Sequence, residues 1–390
     1  MPDVVRYGLI SAGRMAGYTM LQIMRGHPAA RPVAWYEMNP DRPDTAQRIV
    51  QLRQAGLESC DSLEALLARQ DVDVILNVTP HYAHAETSLA ALRAGRYVIC
   101  EKPPAVTQAD CDAMVDASGR AGGRLLVHFQ HLLRPTARWL NQAICRGELG
   151  RIRRVRGISL WWREPDYFRR VDWAGKRAYQ GKTALDGALC NQTVHYLNQM
   201  LALAQRTAES HVGRPRTMRA ALYRFHDERL LEMEDTAVAT GVLDNDDETE
   251  FLFAGTIAAA GAAGTSRGAE YAGLPERHHI VIEGERGWAS WGGRAELHVQ
   301  GREPEIREVS EPHWPFYFHV QRVLAGEEQP VTPIEQSVNT MRFIFATYQA
   351  VHDRIRQCPW DRNVEVADVL HRCNDAFCLP AELDRAPDWA

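Results

Sequence analysis

The chain has 390 residues, of which 45% are hydrophobic and 24% are charged, a balance that excludes a disordered or collagen-like protein. Its length is typical of two domains, and its formal net charge of −5 argues against a generally basic nucleic-acid-binding protein. Of the 45 basic residues only three are lysines, Lys102, Lys176 and Lys182. A lysine kept in an arginine-rich chain either serves where a tunable positive charge is needed or survives by chance.

Cysteine usage and hydropathy predict the compartment. The eight cysteines include no Cys-x-x-Cys pair, which favours reduced thiols in the cytoplasm over a disulfide framework. The N-terminus lacks a basic segment followed by an apolar core, so we expect no signal peptide. The longest uncharged stretch, residues 251–266, has 16 residues rich in glycine and alanine and is too short to span a bilayer. These features predict a cytoplasmic protein without a membrane segment.

Strands and helices alternate over residues 4–129. Apolar runs predict the strands, and runs with helical periodicity predict the helices between them. The predicted strands cover residues 4–11, 32–37, 72–79, 96–100 and 125–129, and the predicted helices cover about 15–24, 44–55, 62–69, 84–94 and 108–120. Such alternation is typical of a doubly wound parallel sheet, so we predict an α/β Rossmann domain at residues 1–130.

The pattern changes after residue 130. Helices are predicted at 135–146, about 187–203, 316–325 and 334–356, and strands at 155–162, 237–243, 251–257, 279–283 and 296–299. Turn residues separate the later strands, as they do in antiparallel sheets. We therefore predict an α+β domain with a large, mostly antiparallel open sheet at residues 131–360, followed by a C-terminal tail at 361–390.

The turn after the first predicted strand reads Ser11-Ala12-Gly13-Arg14-Met15-Ala16. A dinucleotide-binding turn has the pattern G-x-G-x-x-G/A, in which the central glycine lets the backbone approach a pyrophosphate at a helix N-terminus. Ser11 departs from this pattern, because a side chain is strained if the turn requires a positive φ. Glu37, at the end of the next strand, can bind an adenosine ribose and would repel a 2′-phosphate. We expect NAD, with NADP possible because Arg14 and Arg42 lie nearby; the alternative is a Rossmann-type domain with an altered pocket.

Further motifs follow in a characteristic order. Thr79-Pro80-His81-Tyr82-Ala83-His84 comes after one buried strand, and Glu101-Lys102-Pro103 comes after the next. The chain continues with Gly147-Glu148-Leu149-Gly150, an aromatic run at 161–168, and Asn191-Gln192-Thr193-Val194-His195. Together these motifs resemble the glucose–fructose oxidoreductase/inositol dehydrogenase/MocA (Gfo/Idh/MocA) oxidoreductase family over roughly residues 4–355.

The resemblance implies an NAD(P)-dependent enzyme whose second domain binds substrate and forms a homodimer or homotetramer. It implies catalytic roles for Lys102, His195 and Asn191, and a cis-proline-type turn at Pro103 that shapes the nicotinamide pocket. The implied cofactor-binding residues are Ser11, Ala12, Gly13, Arg14, Met15, Glu37, Thr79, Pro80, His81, His84, Glu101, Lys102, Pro103 and Gln130. The implied substrate-binding residues are Trp162, Arg163, Tyr167, Lys182, Asn191 and His195.

Several positions depart from the family pattern. Asn191 stands where many members have Asp, and Asn198 stands at a second such position. An amide can orient a hydroxyl but cannot hold a proton at neutral pH, which argues against an Asp-dependent proton relay. Leu132 stands where many members have Arg. Leu185 and Asp186 replace glycines of a segment that faces the substrate in relatives, so this loop is a specificity element or a plain solvent-facing loop.

Oxidation of a secondary alcohol requires a hydride acceptor and a group that takes the hydroxyl proton. His195 can take that proton. Lys102 can do the same if its pKa is lowered, or it can stay charged and stabilise the developing alkoxide. Asn191 precedes His195 by four residues, so both can face one cleft, or Asn191 instead caps or packs the helix.

Other candidate sites have two readings each. The aromatic residues at 161–173 form either a carbohydrate-stacking wall or a sheet core with a dimer interface. His81 and His84, like His128 and His131, have an H-x-x-H spacing. Neither pair has carboxylate or cysteine neighbours at metal-binding spacing, so we expect no metal.

Three functions remain open from the sequence. The first is an NAD(P)-dependent dehydrogenase acting on a secondary hydroxyl of a sugar, sugar derivative or cyclitol. The second is a hydrolase or lyase that retains NAD and uses transient oxidation. The third is a non-catalytic regulator that binds sugar or cofactor. Retention of both Lys102 and His195 favours an enzyme.

Overall fold

A computed structural model describes residues 4–17, 24, 26–205, 215–259, 277–308 and 315–357. The chain divides into two compact units. The first unit comprises residues 1–138 and 310–338, and the second comprises residues 139–309 and 339–390. The predicted tail at 361–390 and most of the predicted helix at 15–24 lie outside the described residues.

The first part of the chain alternates strands with helices. In chain order the elements are β1 (Val5–Ile10), α1 (Arg14–Ala16), β2 (Ala30–Tyr36), α2 (Pro43–Gln54), β3 (Glu58–Ser59), α3 (Leu63–Ala68), β4 (Val74–Asn77), α4 (His84–Arg93), β5 (Tyr97–Cys100), α5 (Gln108–Arg120), β6 (Leu125–Val127) and α6 (Pro135–Cys145). Short 3-10 helices cover His81–Ala83 and Gln130–Leu133.

The later part of the chain is mainly strand. Its elements are β7 (Ile152–Leu160), α7 (Pro165–Phe168), β8 (Ala178–Tyr179), β9 (Lys182–Thr183), α8 (Val194–Leu203), β10 (Pro215–Tyr223), β11 (Thr236–Leu243), β12 (Glu250–Thr256), β13 (Arg277–Gly284), β14 (Gly287–Trp291), β15 (Arg294–Val299), β16 (Glu305–Glu308), α9 (Pro315–Ala325) and α10 (Ile334–Gln357).

The first unit is built on a six-stranded parallel sheet with the order β3-β2-β1-β4-β5-β6. All four residues of β4 are buried, as expected for a central parallel strand covered on both faces. The side chain of Ser62 accepts a hydrogen bond from Ala65 N and caps α3. The order reverses between β1 and β4, the point where doubly wound sheets bind ligands. The predicted Rossmann sheet is confirmed.

Helix α9, which is distant in sequence from the Rossmann strands, packs into the core of the first unit. Phe316, Tyr317 and Val320 of α9 are buried in the core that includes Tyr7 of β1. The rings of Tyr7 and Tyr317 meet edge to face, with centroids 5.8 Å apart. Val127 N donates to Thr332 O at 2.9 Å at the edge of the sheet. This arrangement differs from the sequence-based division, which assigned residues 310–338 to the second domain. The helical pattern of α9 reveals an apolar face but not the core that the face covers.

The second unit is built on an eight-stranded sheet with the order β10-β11-β12-β7-β13-β14-β15-β16. Every neighbouring pair is antiparallel except β12 and β7. A side chain at Gly157 of β7 would place its Cβ 2.9 Å from the sulfur of Met200, so this glycine permits the close approach of α8. The mostly antiparallel open sheet predicted from the sequence is confirmed.

No helix within the described ranges is long and apolar enough to cross a membrane.

Candidate active site

The turn after β1 holds Ser11 in the left-handed region, with φ of +89°. Such a conformation is costly for a residue with a side chain, and glycine is the usual occupant. Two hydrogen bonds offset this cost: Ser11 Oγ donates to Glu37 Oε2 at 2.9 Å, and Gly13 N donates to Ser11 Oγ at 3.2 Å. The hydrogen bonds of the Ser11 side chain therefore compensate for the backbone strain that a glycine would avoid at this position.

The residues present fit a dinucleotide. A Cβ built on Gly13 would meet only Ser11 Oγ, at 3.4 Å, so the backbone there is open to a close-approaching group. Arg14 and Met15, in the first turn of α1, are exposed. Glu37 accepts three hydrogen bonds from Ser11 Oγ, Ala12 N and Asn39 N. A carboxylate has about four acceptor positions, which leaves capacity for a ribose hydroxyl.

His84 connects the loops that follow β4 and β5. Its Nε2 lies 2.7 Å from Thr79 O and its Nδ1 lies 2.6 Å from Pro103 O. The ring is buried, and burial lowers the pKa of His84 although both carbonyls oppose that effect. Both ring nitrogens lie close to backbone carbonyls, so His84 bridges the loop of Thr79 and Pro80 and the turn at Pro103. His81 is also buried, with its ring centroid 5.9 Å from that of His84.

Glu101, Lys102 and Pro103 follow β5 directly. The Lys102–Pro103 peptide bond is cis. Glu101 is buried; its Oε1 lies 2.5 Å from His128 Nδ1, and its Oε2 accepts a hydrogen bond from Lys102 N at 3.2 Å. Burial alone would raise the pKa of Glu101, but the hydrogen-bonded contact with His128 and the positive charge of Lys102 outweigh it and lower the pKa. Glu101 therefore stays ionised and fixes the backbone of Lys102 through this hydrogen bond.

The predicted cofactor residues of the first unit lie at one edge of its sheet. The segments that begin at Ser11, Thr79 and Glu101 follow β1, β4 and β5, and the carboxyl ends of parallel strands meet at the same edge. Gln130 lies just after β6, and its buried Oε1 has no hydrogen-bond partner among the described residues. A buried amide oxygen of this kind calls for a donor from a ligand or an ordered water.

In the second unit, His195 lies in the first turn of α8 and is partly exposed. The helix begins at Val194, seven residues later than the predicted start near 187, because residues 188–193 form turns. Asn191 lies in those turns and does not cap the helix, whose N-cap is Thr193. Instead, Asn191 Nδ2 donates to Asp186 Oδ1 at 2.6 Å and to Tyr167 Oη at 3.1 Å.

Arginine side chains pack against the aromatic residues at 161–173. The guanidinium of Arg170 lies 3.7 Å from the Tyr167 ring centroid, and that of Arg163 lies 5.2 Å from it. Arg163 also lies 4.4 Å from the ring centroid of Trp161. Contacts of this kind between cations and rings stabilise the loop. Trp162 stacks on His226, with centroids 5.5 Å apart.

The two remaining lysines have separate positions. Lys176 Nζ lies 2.8 Å from Glu232 Oε1 and forms an ion pair. Lys182 is an exposed residue of the short hairpin formed by β8 and β9. An arginine could make the ion pair of Lys176 equally well, so its position offers no reason for retaining lysine.

Sequence reasoning missed two buried carboxylates near these residues. Asp186 was noticed only as a replaced glycine, although its carboxylate holds Asn191. Asp235 is fully buried and accepts hydrogen bonds from Phe225 N, His226 N and His226 Nδ1. Burial alone would lower the pKa of His226, but Asp235 raises it, and His226 Nε2 lies 2.9 Å from Arg163 O. For both Asp186 and Asp235, the signal available in the sequence was an acidic residue within a segment expected to be buried.

Within the described ranges, no group of three or more His, Cys, Asp or Glu residues is arranged to hold a metal ion. His128, considered above for its H-x-x-H spacing, is paired with Glu101.

Comparison with known proteins places both units in one family. A family profile described as "Oxidoreductase family, NAD-binding Rossmann fold" matches residues 5–129, and the profile of the Gfo/Idh/MocA C-terminal domain matches residues 137–290. The chain belongs to the Gfo/Idh/MocA family. Its first unit accordingly has the family's NAD-binding Rossmann fold.

Two curated proteins are similar to part of the chain. The 1-carboxy-3-chloro-3,4-dihydroxycyclo hexa-1,5-diene dehydrogenase of Comamonas testosteroni is 34% identical over 144 residues, 37% of this chain and 34% of that protein. The 2,7-anhydro-N-acetylneuraminate hydratase of Escherichia coli is 30% identical over 119 residues, 30% of each chain. The chain therefore matches about a third of the length of these curated relatives.

A solved structure is similar over nearly the whole chain. The WlbA dehydrogenase of Bordetella pertussis, in complex with NADH and UDP-GlcNAcA, is 25% identical with a TM-score of 0.68. The similarity covers 90% of this chain and 97% of that one.

Proposed function

We propose that this protein is an NAD-dependent oxidoreductase that transfers a hydride between nicotinamide and a secondary hydroxyl of a sugar, sugar derivative or cyclitol. One observation carries the proposal: in an NAD-binding Rossmann unit, Lys102 follows β5 directly, its backbone N bonded to the buried carboxylate of Glu101, and His84 links the adjacent loop to Pro103. This is the edge of the sheet at which such folds bind nicotinamide cofactors.

The turn at residues 11–15 would hold the pyrophosphate, with Gly13 admitting it and the first backbone N–H groups of α1 facing it. Glu37 would accept a ribose hydroxyl, and its charge would disfavour the 2′-phosphate of NADP. Thr79, Pro80, His81 and Gln130 would line the rest of the cofactor site. When bound, the cofactor supplies the acceptor or donor of the hydride.

Lys102 would act on the substrate oxygen. As an ammonium it would stabilise the developing alkoxide, and as a neutral amine it would take the hydroxyl proton. The second role requires a side chain that can give up its proton near neutral pH, which distinguishes lysine from arginine. Glu101 would hold the backbone of Lys102 through the 3.2 Å hydrogen bond to Lys102 N.

The second unit would supply the residues that recognise the sugar. His195, in the first turn of α8, would accept or return the hydroxyl proton, and Asn191 would orient a substrate hydroxyl. Trp162, Arg163, Tyr167 and Lys182 would contact the remaining hydroxyl groups or a charged substituent. The dehydrogenase solved with UDP-GlcNAcA supports a sugar-type substrate, and the Comamonas relative supports a carbocyclic one.

Two measurements test this proposal. Titration with NADH and NADPH, followed by nucleotide fluorescence, should give tighter binding of NADH. Absorbance at 340 nm should then rise when the protein is mixed with NAD and one member of a panel of myo-inositol, D-glucose, D-xylose, D-glucuronic acid and UDP-GlcNAcA. Cofactor binding without turnover of any sugar, unchanged by Lys102→Ala, would instead support a non-catalytic regulator.

A second candidate is a lyase or hydrolase that retains its NAD and oxidises the substrate only transiently. The named activity of the Escherichia coli relative supports it. The two candidates differ in their balance of NADH: a dehydrogenase accumulates NADH in proportion to product, whereas the second candidate converts its substrate with no net change at 340 nm. Chromatography of 2,7-anhydro-N-acetylneuraminate incubated with the protein and NAD would detect that conversion.

We also propose that the protein is a cytoplasmic homodimer or homotetramer. Its second-unit sheet carries Ile158 and Trp288 partly exposed on β7 and β14, which suits burial against another copy. Light scattering on a sizing column gives the mass, and fractionation of expressing cells gives the compartment. A monomer across the micromolar range would contradict the oligomer.

A further inference from the structure

Asp186 is a carboxylate deep in the second unit that the proposed chemistry does not use. It lies between β9 and α8, and only 2% of its surface is exposed. Its Oδ2 accepts a hydrogen bond from Gly175 N at 2.8 Å, and its Oδ1 accepts one from Asn191 Nδ2 at 2.6 Å. Arg170 Nη2 lies 3.6 Å from Oδ2. A buried charge is costly unless it is well paired, so a chain that keeps one here gains something specific from it.

The carboxylate fixes the orientation of the Asn191 amide. An amide can usually be turned over so that its oxygen and nitrogen exchange places. An ionised carboxylate only accepts hydrogen bonds, so the atom of Asn191 that faces Asp186 must be Nδ2. Nδ2 carries two hydrogens, and the second is donated to Tyr167 Oη at 3.1 Å. Asn191 can therefore meet a further group only through its carbonyl oxygen, as an acceptor.

Tyr167, Arg170 and Gln192 extend the network of contacts around Asp186 and Asn191. Tyr167 Oη also accepts a hydrogen bond from Gln192 Nε2 at 2.6 Å, so its own hydrogen is directed at a third group. Arg170, which lies beside Asp186, also lies over the ring of Tyr167 and holds it in place. Gln192 is only 6% exposed, and its buried Oε1 has no hydrogen-bond partner in the described part of the chain. A buried polar atom without a hydrogen-bond partner in the protein indicates that a ligand or a water molecule donates a hydrogen bond to it.

We propose that Asp186 is a positioning residue for the substrate: it holds Asn191 so that the Asn191 carbonyl oxygen accepts a hydrogen bond from a substrate hydroxyl, beside the Tyr167 hydroxyl as a donor. This inference rests on the proposed function. An acceptor and a donor side by side suit two neighbouring hydroxyls of a polyol or sugar ring. They suit a ring with a single isolated hydroxyl less well, because one group of the pair would lose its partner.

Substitution of Asp186 by Asn should reverse the orientation of the Asn191 amide, so that a donor faces the substrate in place of an acceptor. The new side chain must place its oxygen against Gly175 N, since that backbone group only donates. Its NH2 then faces Asn191, whose amide must turn over and present Nδ2, a donor, to the substrate. For Asp186→Asn we expect KM for the best sugar of the panel to rise by ~10-fold or more, with the Kd for NADH unchanged. Asp166→Asn, an exposed carboxylate on α7, is the matched control and should leave KM unchanged.

An exchange variant separates positioning from folding. Asn191→Asp alone sets two carboxylates against each other, so it should raise KM and move the activity optimum to lower pH, where one of them is protonated. The double variant Asp186→Asn/Asn191→Asp keeps one carboxylate and one amide in contact and again offers an acceptor to the substrate. It should recover KM to within ~3-fold of the unsubstituted enzyme.

The outcomes are distinguishable. An active enzyme whose Asp186→Asn variant keeps its KM and pH profile overturns the positioning role of Asp186 and leaves the proposed function intact. Failure of the double variant to recover KM, with thermal unfolding no lower than that of the single variants, also overturns it. An unsubstituted protein that neither binds NADH nor converts any member of the panel overturns the proposed function, and this inference with it.

Discussion

The hydroxyl of Ser11 donates a hydrogen bond to the carboxylate of Glu37 at 2.9 Å, from the end of β1 to the end of β2. Through this bond, the residue that replaces a glycine in the phosphate-binding turn also holds the residue expected to bind the ribose. Ala12 N donates to the same oxygen of Glu37 at 2.6 Å. The turn and the acidic residue thus form one hydrogen-bonded group within the first unit.

Ser11→Ala and Ser11→Gly should differ in stability. Both lose the hydrogen bonds of Ser11 Oγ, including one to a carboxylate, which costs about 1–3 kcal/mol. Ser11→Ala keeps a side chain at φ of +89°, whereas Ser11→Gly relieves that strain, so the glycine variant should be about 1 kcal/mol more stable than the alanine variant. Urea unfolding of the cofactor-free protein measures the difference. Equal stability of the two variants would show that the positive φ at residue 11 causes no measurable strain for a residue with a side chain.

Glu37→Gln should shift cofactor preference. The substitution keeps the shape of the side chain and removes the charge that would oppose a 2′-phosphate. We expect the ratio of the Kd for NADPH to the Kd for NADH to fall by ~10-fold, which corresponds to about 1.4 kcal/mol. Fluorescence titration of both nucleotides measures it. Glu64→Gln, an exposed carboxylate on α3, is the control and should leave the ratio as it is. A ratio unaffected by Glu37→Gln would remove Glu37 from the ribose site.

Lys102→Ala should lower turnover by at least ~100-fold, the lower end of what general acid–base catalysis contributes. Lys102→Arg should fail as well, because an arginine cannot give up its proton. Lys176→Arg is the matched control: it keeps the ion pair with Glu232 and should retain full activity. Initial rates at 340 nm with the best sugar of the panel give the comparison. A Lys102→Arg enzyme near the original rate would contradict a proton-transfer role.

Glu234→Gln should change how stability depends on pH. Burial raises the pKa of Glu234 to about 8, although hydrogen bonds from Leu189 N and Tyr348 Oη oppose this. Between about pH 5 and 8 the folded state therefore keeps a proton that the unfolded chain has lost, and the free energy of unfolding falls as the pH rises. The total fall is of the order of a few kcal/mol.

A glutamine has no proton to lose, so in Glu234→Gln this part of the decline should vanish, and the Tm should change less between pH 5 and pH 8. Scanning calorimetry at pH 5, 6.5 and 8 measures it. Glu232→Gln, a more exposed neighbour, should keep the original dependence on pH. A parallel decline in Glu234→Gln and the unsubstituted protein would show that Glu234 is not its source.

The two sheets were predictable from the sequence because each has a local pattern. Continuous apolar runs such as β4 indicate parallel strands covered on both faces, and the alternating burial of β7 indicates a sheet with one open face. The exact start of α8 was not predictable, because residues 188–193 are folded by hydrogen bonds such as that from Ala188 N to Glu234 O. Such long-range bonds leave no periodic signal.

The candidate site was predictable only in part. The motifs around Lys102 are contiguous, so the sequence alone indicates which residues share a loop. The roles of His84 and Asp186 depend on partners that lie 19 and 11 residues away, Pro103 for the first and Gly175 for the second. A residue type reveals that a side chain can donate or accept, but only the fold reveals which atom it faces.

The position of α9 has a consequence for how the protein is made. Phe316, Tyr317 and Val320 complete a core whose strands are encoded before residue 130. During translation, that face of the nascent Rossmann sheet therefore stays uncovered while nearly two hundred further residues are synthesised. At about 5–20 residues per second, this takes roughly ten seconds or more. A gene fragment that stops at Arg138 would encode all six strands and still yield an aggregation-prone product.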